Sequence, residues 1–259
     1  MGYIFNYNDA IAYEQWCNEA KNKRATELEN RLMLNMLEPV QGSRVLDIGC
    51  GTGASLFPFI EKGLLTTGLD PSPDMIDIAL KNLGHRADLY RGFAEDLPFD
   101  DNFFNQACLV KSLEFVEDPK KAIEEACRVA KDKIFIGVLN RYSIRGTRLR
   151  VRRIFTKSLY DHARFFSIWE LEEIIRELLG NVPISWRTVC QFSAPTGRIS
   201  HTIEHSNLVQ KCPFGAFTGM TVTLIPRFRT RLLELLRHPA SEGGAVAGLA
   251  RAKELKIEN

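Results

Sequence analysis

Along the first forty residues apolar side chains recur at helical spacing among charged neighbours, with Trp16 and Ala20, then Leu28, Leu32 and Leu37, marking the pattern. From Arg44 onward it changes to short apolar runs that end in Gly or Asp, each followed by an amphipathic stretch of helical period. This alternation predicts β and α units in turn, with strands at 44–48, 65–70, 87–91, 104–110 and 133–139. Ser72 before Pro73 and Asp118 before Pro119 mark helix starts, each a side-chain cap followed by a proline in the first turn, where its missing N–H is not needed. Strands linked this way form a parallel sheet with right-handed crossovers.

After the fifth strand a basic stretch, 141–157, interrupts the alternation. Ser167-Ile168-Trp169-Glu170 then reads as a capping box opening a helix to Leu179, and apolar runs near 184–190 and 217–225 supply two further strands. Beyond Pro226 the chain reads as helical to about Arg237 and then becomes Gly- and Ala-rich. The expected organisation is a helical cap over 1–40, a main domain over 41–230 with a basic insertion at 141–165, and a tail over 231–259. Helices that precede the sheet in this way are placed to cap it.

Composition narrows the class. With 259 residues, 45% apolar content and a formal charge of +2, the chain can bury a sizeable core and exerts little long-range pull on polyanions. No stretch approaches the roughly 18 apolar residues of a membrane span, and the start lacks the charged end and apolar run of a signal peptide, so a cytoplasmic location is expected. Cys17, Cys50, Cys108, Cys127, Cys190 and Cys212 are scattered, without a C-x-x-C pair, and are expected to be reduced and mostly buried.

The strongest local signal is Val45-Leu46-Asp47-Ile48-Gly49-Cys50-Gly51-Thr52-Gly53, a strand running into a glycine-rich turn that opens a helix. Glycines let such a turn close tightly and approach a ligand that a Cβ would displace. Read as G-x-G-x-x-A over Gly49, Gly51 and Ala54, the turn also fits a dinucleotide fingerprint. The adjacent charge separates the two: Asp47 at the mouth of the strand would repel a pyrophosphate, and it suits a ligand carrying ammonium and sulfonium groups, directly or through water. Asp70 closes the second strand and is placed to accept two ribose hydroxyls of either ligand, or simply to cap the next helix.

Four motifs at matching spacing carry a resemblance: Val45 to Gly53, Gly68-Leu69-Asp70-Pro71-Ser72-Pro73-Asp74-Met75-Ile76, Ala94-Glu95-Asp96-Leu97-Pro98-Phe99-Asp100-Asp101, and Ser112-Leu113-Glu114-Phe115-Val116-Glu117-Asp118-Pro119. Over about residues 40–140 the chain resembles the class I S-adenosylmethionine-dependent methyltransferases, and looks closest to the methyltransferase type 11 branch that includes quinone C-methyltransferases and many small-molecule enzymes. The resemblance implies an α/β, Rossmann-like, doubly wound sheet of seven mostly parallel strands with helices on both faces. It implies S-adenosylmethionine as cofactor, leaving as S-adenosylhomocysteine. Gly49, Cys50 and Gly51 would line its methionine part with Asp47 close by, Asp70 would hold the ribose, Met75 would pack on the adenine, Ala94 and Glu95 would border the adenine edge, and Pro71 would be a further cofactor contact. Lys111 would flank the cofactor by its backbone, and Tyr13-Glu14-Gln15-Trp16 resembles the aromatic segment that covers it. Two positions depart from the pattern: Phe93 stands where an Asp often precedes the Ala-Glu pair, and Asn105 replaces an Asp of the fourth strand.

Methyl transfer from a sulfonium needs a general base only for an OH, an activated C–H or a protonated amine. Glu114, His162 and Tyr142 are the polar candidates beyond strands four and five, each with a bland alternative of backbone bonding, solvent exposure or packing. The 141–157 stretch has basic residues and no acid; it reads as a solvated helix face, a site for an anionic substrate, a peripheral contact with anionic lipid, or, least favoured, an RNA contact. His201-Thr202-Ile203-Glu204-His205 spells an inverted zinc-protease motif but lies in a polar stretch late in the chain, so no metal is expected. The acceptor is expected to be a small or medium-sized molecule, anionic or lipid-like readings included, rather than nucleic acid; no Asn/Asp-Pro-Pro-Tyr/Phe follows the fourth strand. A catalytically silent cofactor-binding protein is the competing class, and an NAD-dependent oxidoreductase is disfavoured by Asp47.

Overall fold

The computed structural model describes residues 2–143, 162–189 and 210–224. The chain divides into units 1–226 and 227–259, and every described residue lies in the first. Seven strands form one sheet: β1 (Arg44–Ile48), β2 (Leu65–Asp70), β3 (Asp88–Arg91), β4 (Phe104–Val110), β5 (Ala130–Leu139), β6 (Ile184–Val189) and β7 (Phe217–Thr223). Their order is β3-β2-β1-β4-β5-β7-β6, with β7 antiparallel to both neighbours and the pairs from β3 to β5 parallel. The order reverses between β1 and β4, the switch point at which doubly wound sheets open a crevice beyond their carboxyl ends.

Period-two alternation sorts the strand residues onto two faces. Leu46, Ile48, Leu109, Ile134 and Ile136 join a cluster with Ala122, Ile123 and Ala126 of α5 (Pro119–Val129) and Leu171 and Ile175 of α6 (Ile168–Leu179). Val45, Cys108 and Phe135, from the alternate positions, pack with Leu32, Met33 and Leu37 of α2 (Ala20–Leu37) and Phe59 of α3 (Phe57–Glu61). Helix α4 (Pro73–Leu83) starts as expected, Ser72 accepting the Met75 N–H; Asp118 does the same for Lys121 N–H in α5.

The N-terminal forty residues form two helices. The break comes at Glu19, whose backbone is extended between α1 (Tyr7–Asn18) and α2, with the Asn22 amide donating to Trp16 O and Glu19 Oε2. Only α2 lies on the sheet; in α1, Ala10 packs with Met75 and Ile78 of α4, and residues 2–6 lead in without helix. In α6, Ser167 accepts the Glu170 N–H, while the Glu170 carboxylate is engaged by Arg141 and Arg164 at 2.8 and 2.7 Å. The basic segment 144–161, the 201–205 motif and the tail over 231–259 lie outside the described residues.

Two ionisable groups shape the frame. The Arg128 guanidinium makes bidentate bonds to Glu125 at 2.7 and 2.8 Å and also reaches Asp101, Phe99 O and Leu97 O, pinning the 97–101 connection to α5. Burial favours the protonated form of Glu125, but the arginine outweighs it and holds its pKa below the usual range. Glu114 is 2% exposed; its Oε1 accepts the Leu139 N–H at 2.7 Å, while its Oε2 meets no partner. Desolvation dominates there and lifts the pKa to about 7.

Arg128→Met leaves a buried carboxylate and two carbonyls without their donor, and is expected to lower stability by about 3–5 kcal/mol in urea unfolding. Arg128→Lys should recover only part of this, because an ammonium cannot reproduce the planar fork. For Glu114 the folded chain keeps a proton that the unfolded chain has lost, so stability falls as pH rises from about 4.5 towards 7. Glu114→Gln removes that dependence, and the variant should gain on the wild type by up to about 1.4 kcal/mol per pH unit across this window. Parallel stability curves for the two proteins would show that Glu114 titrates normally.

Candidate active site

The loop after β1 is built from three left-handed glycines, Gly49, Gly51 and Gly53, with φ of 75°, 52° and 82°. Two of them also lack room for a side chain: a Cβ on Gly49 would stand 2.3 Å from Ser112 Cβ, and one on Gly53 2.7 Å from Leu83 Cδ1. Gly51 differs, because its Cβ would meet nothing nearer than Met75 Sδ at 3.8 Å. The turn is fastened to β2, where Leu69 O accepts the N–H groups of Gly49 and Cys50 at 2.7 and 3.0 Å. Asp70 completes the fastening: its Oδ2 accepts Gly51 N–H and its Oδ1 accepts Ser72 N–H, both at 2.9 Å. Burial raises the pKa of this carboxyl, and the two N–H donors oppose the rise.

A cavity of about 500 Å³ opens above this turn, a size typical of small-molecule sites. It brings together Gly49, Cys50, Gly51, Asp70, Pro71, Met75, Ala94, Glu95 and Lys111 from four separate chain segments. Phe93, where an Asp is often found, also lines it and is 45% exposed. Asn105 lies away from it, accepting Arg44 N–H and donating to Asp132. The Glu95 carboxylate already accepts the N–H groups of Glu117 and Asp118 at 2.9 and 3.4 Å, so it braces the segment after β4 as well as lining the cavity.

The remaining wall comes from the N-terminus. Tyr3 N–H donates to Phe115 O at 2.8 Å, Ser72 Oγ donates to Phe5 O at 2.6 Å, and the Tyr3 hydroxyl bonds Asp9 Oδ2. Phe5 packs edge-on to Phe115 with centroids 5.0 Å apart. From the helices, Tyr13, Cys17, Thr26, Glu29 and Asn30 face the same space. Within it Lys111, whose backbone is left-handed at φ 54°, sends its Nζ to Glu29 Oε2 at 2.8 Å and lies 5.7 Å from the Trp16 ring centroid. Glu29 carried a legible signal: it occupies an apolar stripe of α2 between Ala25 and Leu32, Met33 and Met36.

Four expected site residues stand elsewhere. Asp47 is fully buried, accepting hydrogen bonds from the Ser55 hydroxyl and from Cys108 Sγ at 3.4 Å, and burial lifts its pKa to about 6 against those two bonds. It does not line the cavity, because strand alternation directs it to the face that carries Val45 and Cys108. Glu114 is likewise outside the lining, spent on Leu139 N–H in the sheet core. His162 is exposed and stacks on Tyr3, with centroids 4.1 Å apart, so the tyrosine rather than the histidine meets the cavity. Tyr142 is 50% exposed, packs edge-on to Trp169, and is not in the lining.

Comparison with known proteins agrees with this architecture. A family model described as a methyltransferase domain matches residues 46–136. An uncharacterized protein of Methanocaldococcus jannaschii is 36% identical over 171 residues, covering 65% of this chain and 77% of the relative. A demethylmenaquinone methyltransferase of Renibacterium salmoninarum is 36% identical over 125 residues, 48% of this chain and 52% of that protein, so the match spans about half of the relative. Among solved structures, a Thermotoga maritima protein described as a SAM-dependent methyltransferase, possible histamine N-methyltransferase, superposes with a TM-score of 0.68 at 27% identity, over 84% of this chain and 96% of its own. With its sheet order, its glycine turn and these likenesses, the chain belongs to the class I S-adenosylmethionine-dependent methyltransferases, in the type 11 branch.

Proposed function

We propose that the cavity above the glycine turn holds S-adenosylmethionine and presents its methyl group to a small or medium-sized, largely apolar acceptor. The observation that carries this reading is the pairing of Gly51 with Asp70. Gly51 leaves open space where any side chain would intrude, and the buried Asp70 carboxylate, each oxygen already oriented by one backbone N–H, keeps further lone pairs for two ribose hydroxyls. Met75 and Ala94 supply the apolar walls for an adenine ring, and the backbone of Gly49 to Gly51 borders the path towards Lys111. S-adenosylmethionine, when bound, supplies a methyl group already activated by its sulfonium.

The chain's own contribution is then orientation and exclusion of water. Holding an acceptor and the methyl carbon in line is worth effective molarities of roughly 10⁵–10⁸ M. Tyr3, Ile4, Phe5, Phe115 and Val116 make an apolar and aromatic wall that suits a ring-bearing acceptor, a character shared with the quinone named for the Renibacterium relative. Glu114, His162 and Tyr142 do not reach the cavity, so this reading assigns none of them the role of general base. Nucleic acid suits the site poorly, given the near-neutral chain and the enclosing N-terminal segment. Among the described residues no helix is long and apolar enough to cross a membrane.

Asp70→Ala removes two charge-assisted hydrogen bonds and is expected to weaken S-adenosylmethionine binding by about 3 kcal/mol or more in calorimetry. Gly51→Ala should cost the fold only about 1–2 kcal/mol of left-handed strain while reducing affinity at least about tenfold, since its methyl occupies ligand space. Methyl-labelled cofactor incubated with a metabolite extract should deliver label to an apolar fraction, and Asp70→Ala should abolish it. Tight cofactor binding without any transfer would identify a silent binding protein instead.

A further inference from the structure

We propose that Glu29 and Lys111 form a clamp for a zwitterion, Lys111 taking the carboxylate and Glu29 the ammonium of the amino-acid end of the cofactor. The inference rests on the cofactor reading above and extends it to a side-chain pair that neither the glycine turn nor the ribose contact explains.

The pair is unusual for a brace. Its two side chains are only 12% and 8% exposed, and both line the cavity. Lys111 also holds a left-handed backbone at φ 54°, a conformation few residues other than glycine adopt, and one that accumulates where function constrains the chain. Its ammonium lies 5.7 Å from the Trp16 ring centroid, so α1 and α2 together frame the charge. An isolated anion or cation entering here would leave one member of the pair opposed by a like charge. A zwitterion alternates with the pair, plus against minus on both sides, and adds two charge-assisted bonds in a site that is already desolvated.

Position fits the same ligand. Asp70 ends β2 and Lys111 follows β4, with β1 between them, so their strands lie two spacings apart, roughly 10 Å. Gly49 to Gly51 occupy the intervening strand end with no side chain beyond that of Cys50. A nucleoside whose ribose is at Asp70 and which carries a methionine-length chain would lay that chain along the glycine turn and end it at the pair.

The test is a ligand-by-variant cycle in calorimetry, using S-adenosylhomocysteine, its analogue without the carboxylate and its analogue without the amino group, against wild type, Lys111→Met and Glu29→Gln. In the wild type each deletion from the ligand should weaken binding at least about tenfold. Lys111→Met should become indifferent to loss of the carboxylate and remain sensitive to loss of the amine. Glu29→Gln should show the reverse, and Lys111→Arg should restore sensitivity to the carboxylate. Should both variants keep the wild-type discrimination, even with a lowered melting temperature, the pair is a structural brace and the proposal is overturned. If either variant fails to fold, the other decides, and a wild type blind to both ligand deletions overturns the clamp outright. A wild type that binds none of the three ligands sinks the cofactor reading itself, which separates the two failures.

Discussion

The carboxylate of Asp70 is the joint on which the site depends. It ties the glycine turn after β1 to the start of the segment leading into α4, through Gly51 N–H and Ser72 N–H, while remaining at the cavity surface. A left-handed glycine turn has little to hold it in shape by itself, since glycine surrenders more backbone freedom on ordering than any other residue. Two strong acceptor bonds from a buried anion, together with the Leu69 carbonyl that accepts Gly49 and Cys50, supply the missing constraint. The groups that shape the loop thus also line the cavity, so the turn and the cavity wall are set by the same contacts.

Around this joint the N-terminal segment completes the enclosure. It is attached to Phe115 O through Tyr3, to Ser72 through Phe5 O and to α4 through Ala10, and its aromatic rings pack on Phe115 and His162. By contrast α2 is embedded against β5 and β7. Residues 2–5 thus form part of the cavity wall while being fixed to the β4 end, to the start of α4 and to α1.

Charge is distributed in this molecule according to what surrounds it. Half-buried Arg128 and buried Glu125 are matched to each other and serve the frame. Asp47 and Glu114 are buried with too few donors, and their raised pKa values reflect desolvation rather than placement at a reacting centre. A perturbed carboxyl is a functional candidate only where it also meets a cleft, and neither of these does. Asp47 instead orients the Ser55 hydroxyl, and Ser55 is the member of that pair that lines the cavity.

The sequence by itself determined the strand and helix alternation, the caps at Ser72 and Asp118, the glycine turn and the acidic end of β2, because each is a local matter of period, capping chemistry or backbone freedom over a few residues. It also carried a parallel sheet with right-handed crossovers, since alternating units leave few chirally permitted arrangements, while the doubly wound, seven-stranded arrangement came from the family resemblance of the four motifs. What it did not decide was which side chains converge across distant segments. Whether Asp47 met the cavity or the core depended on which face of β1 was covered by α2 and α3, and Glu114, His162 and Tyr142 depended on how β5, Tyr3 and Trp169 packed around them. The meeting of Glu29 with Lys111, 82 positions apart in the chain, likewise arose only when α2 docked on the sheet. Local rules specify elements, and only the packing of those elements selects which polar groups share a cavity.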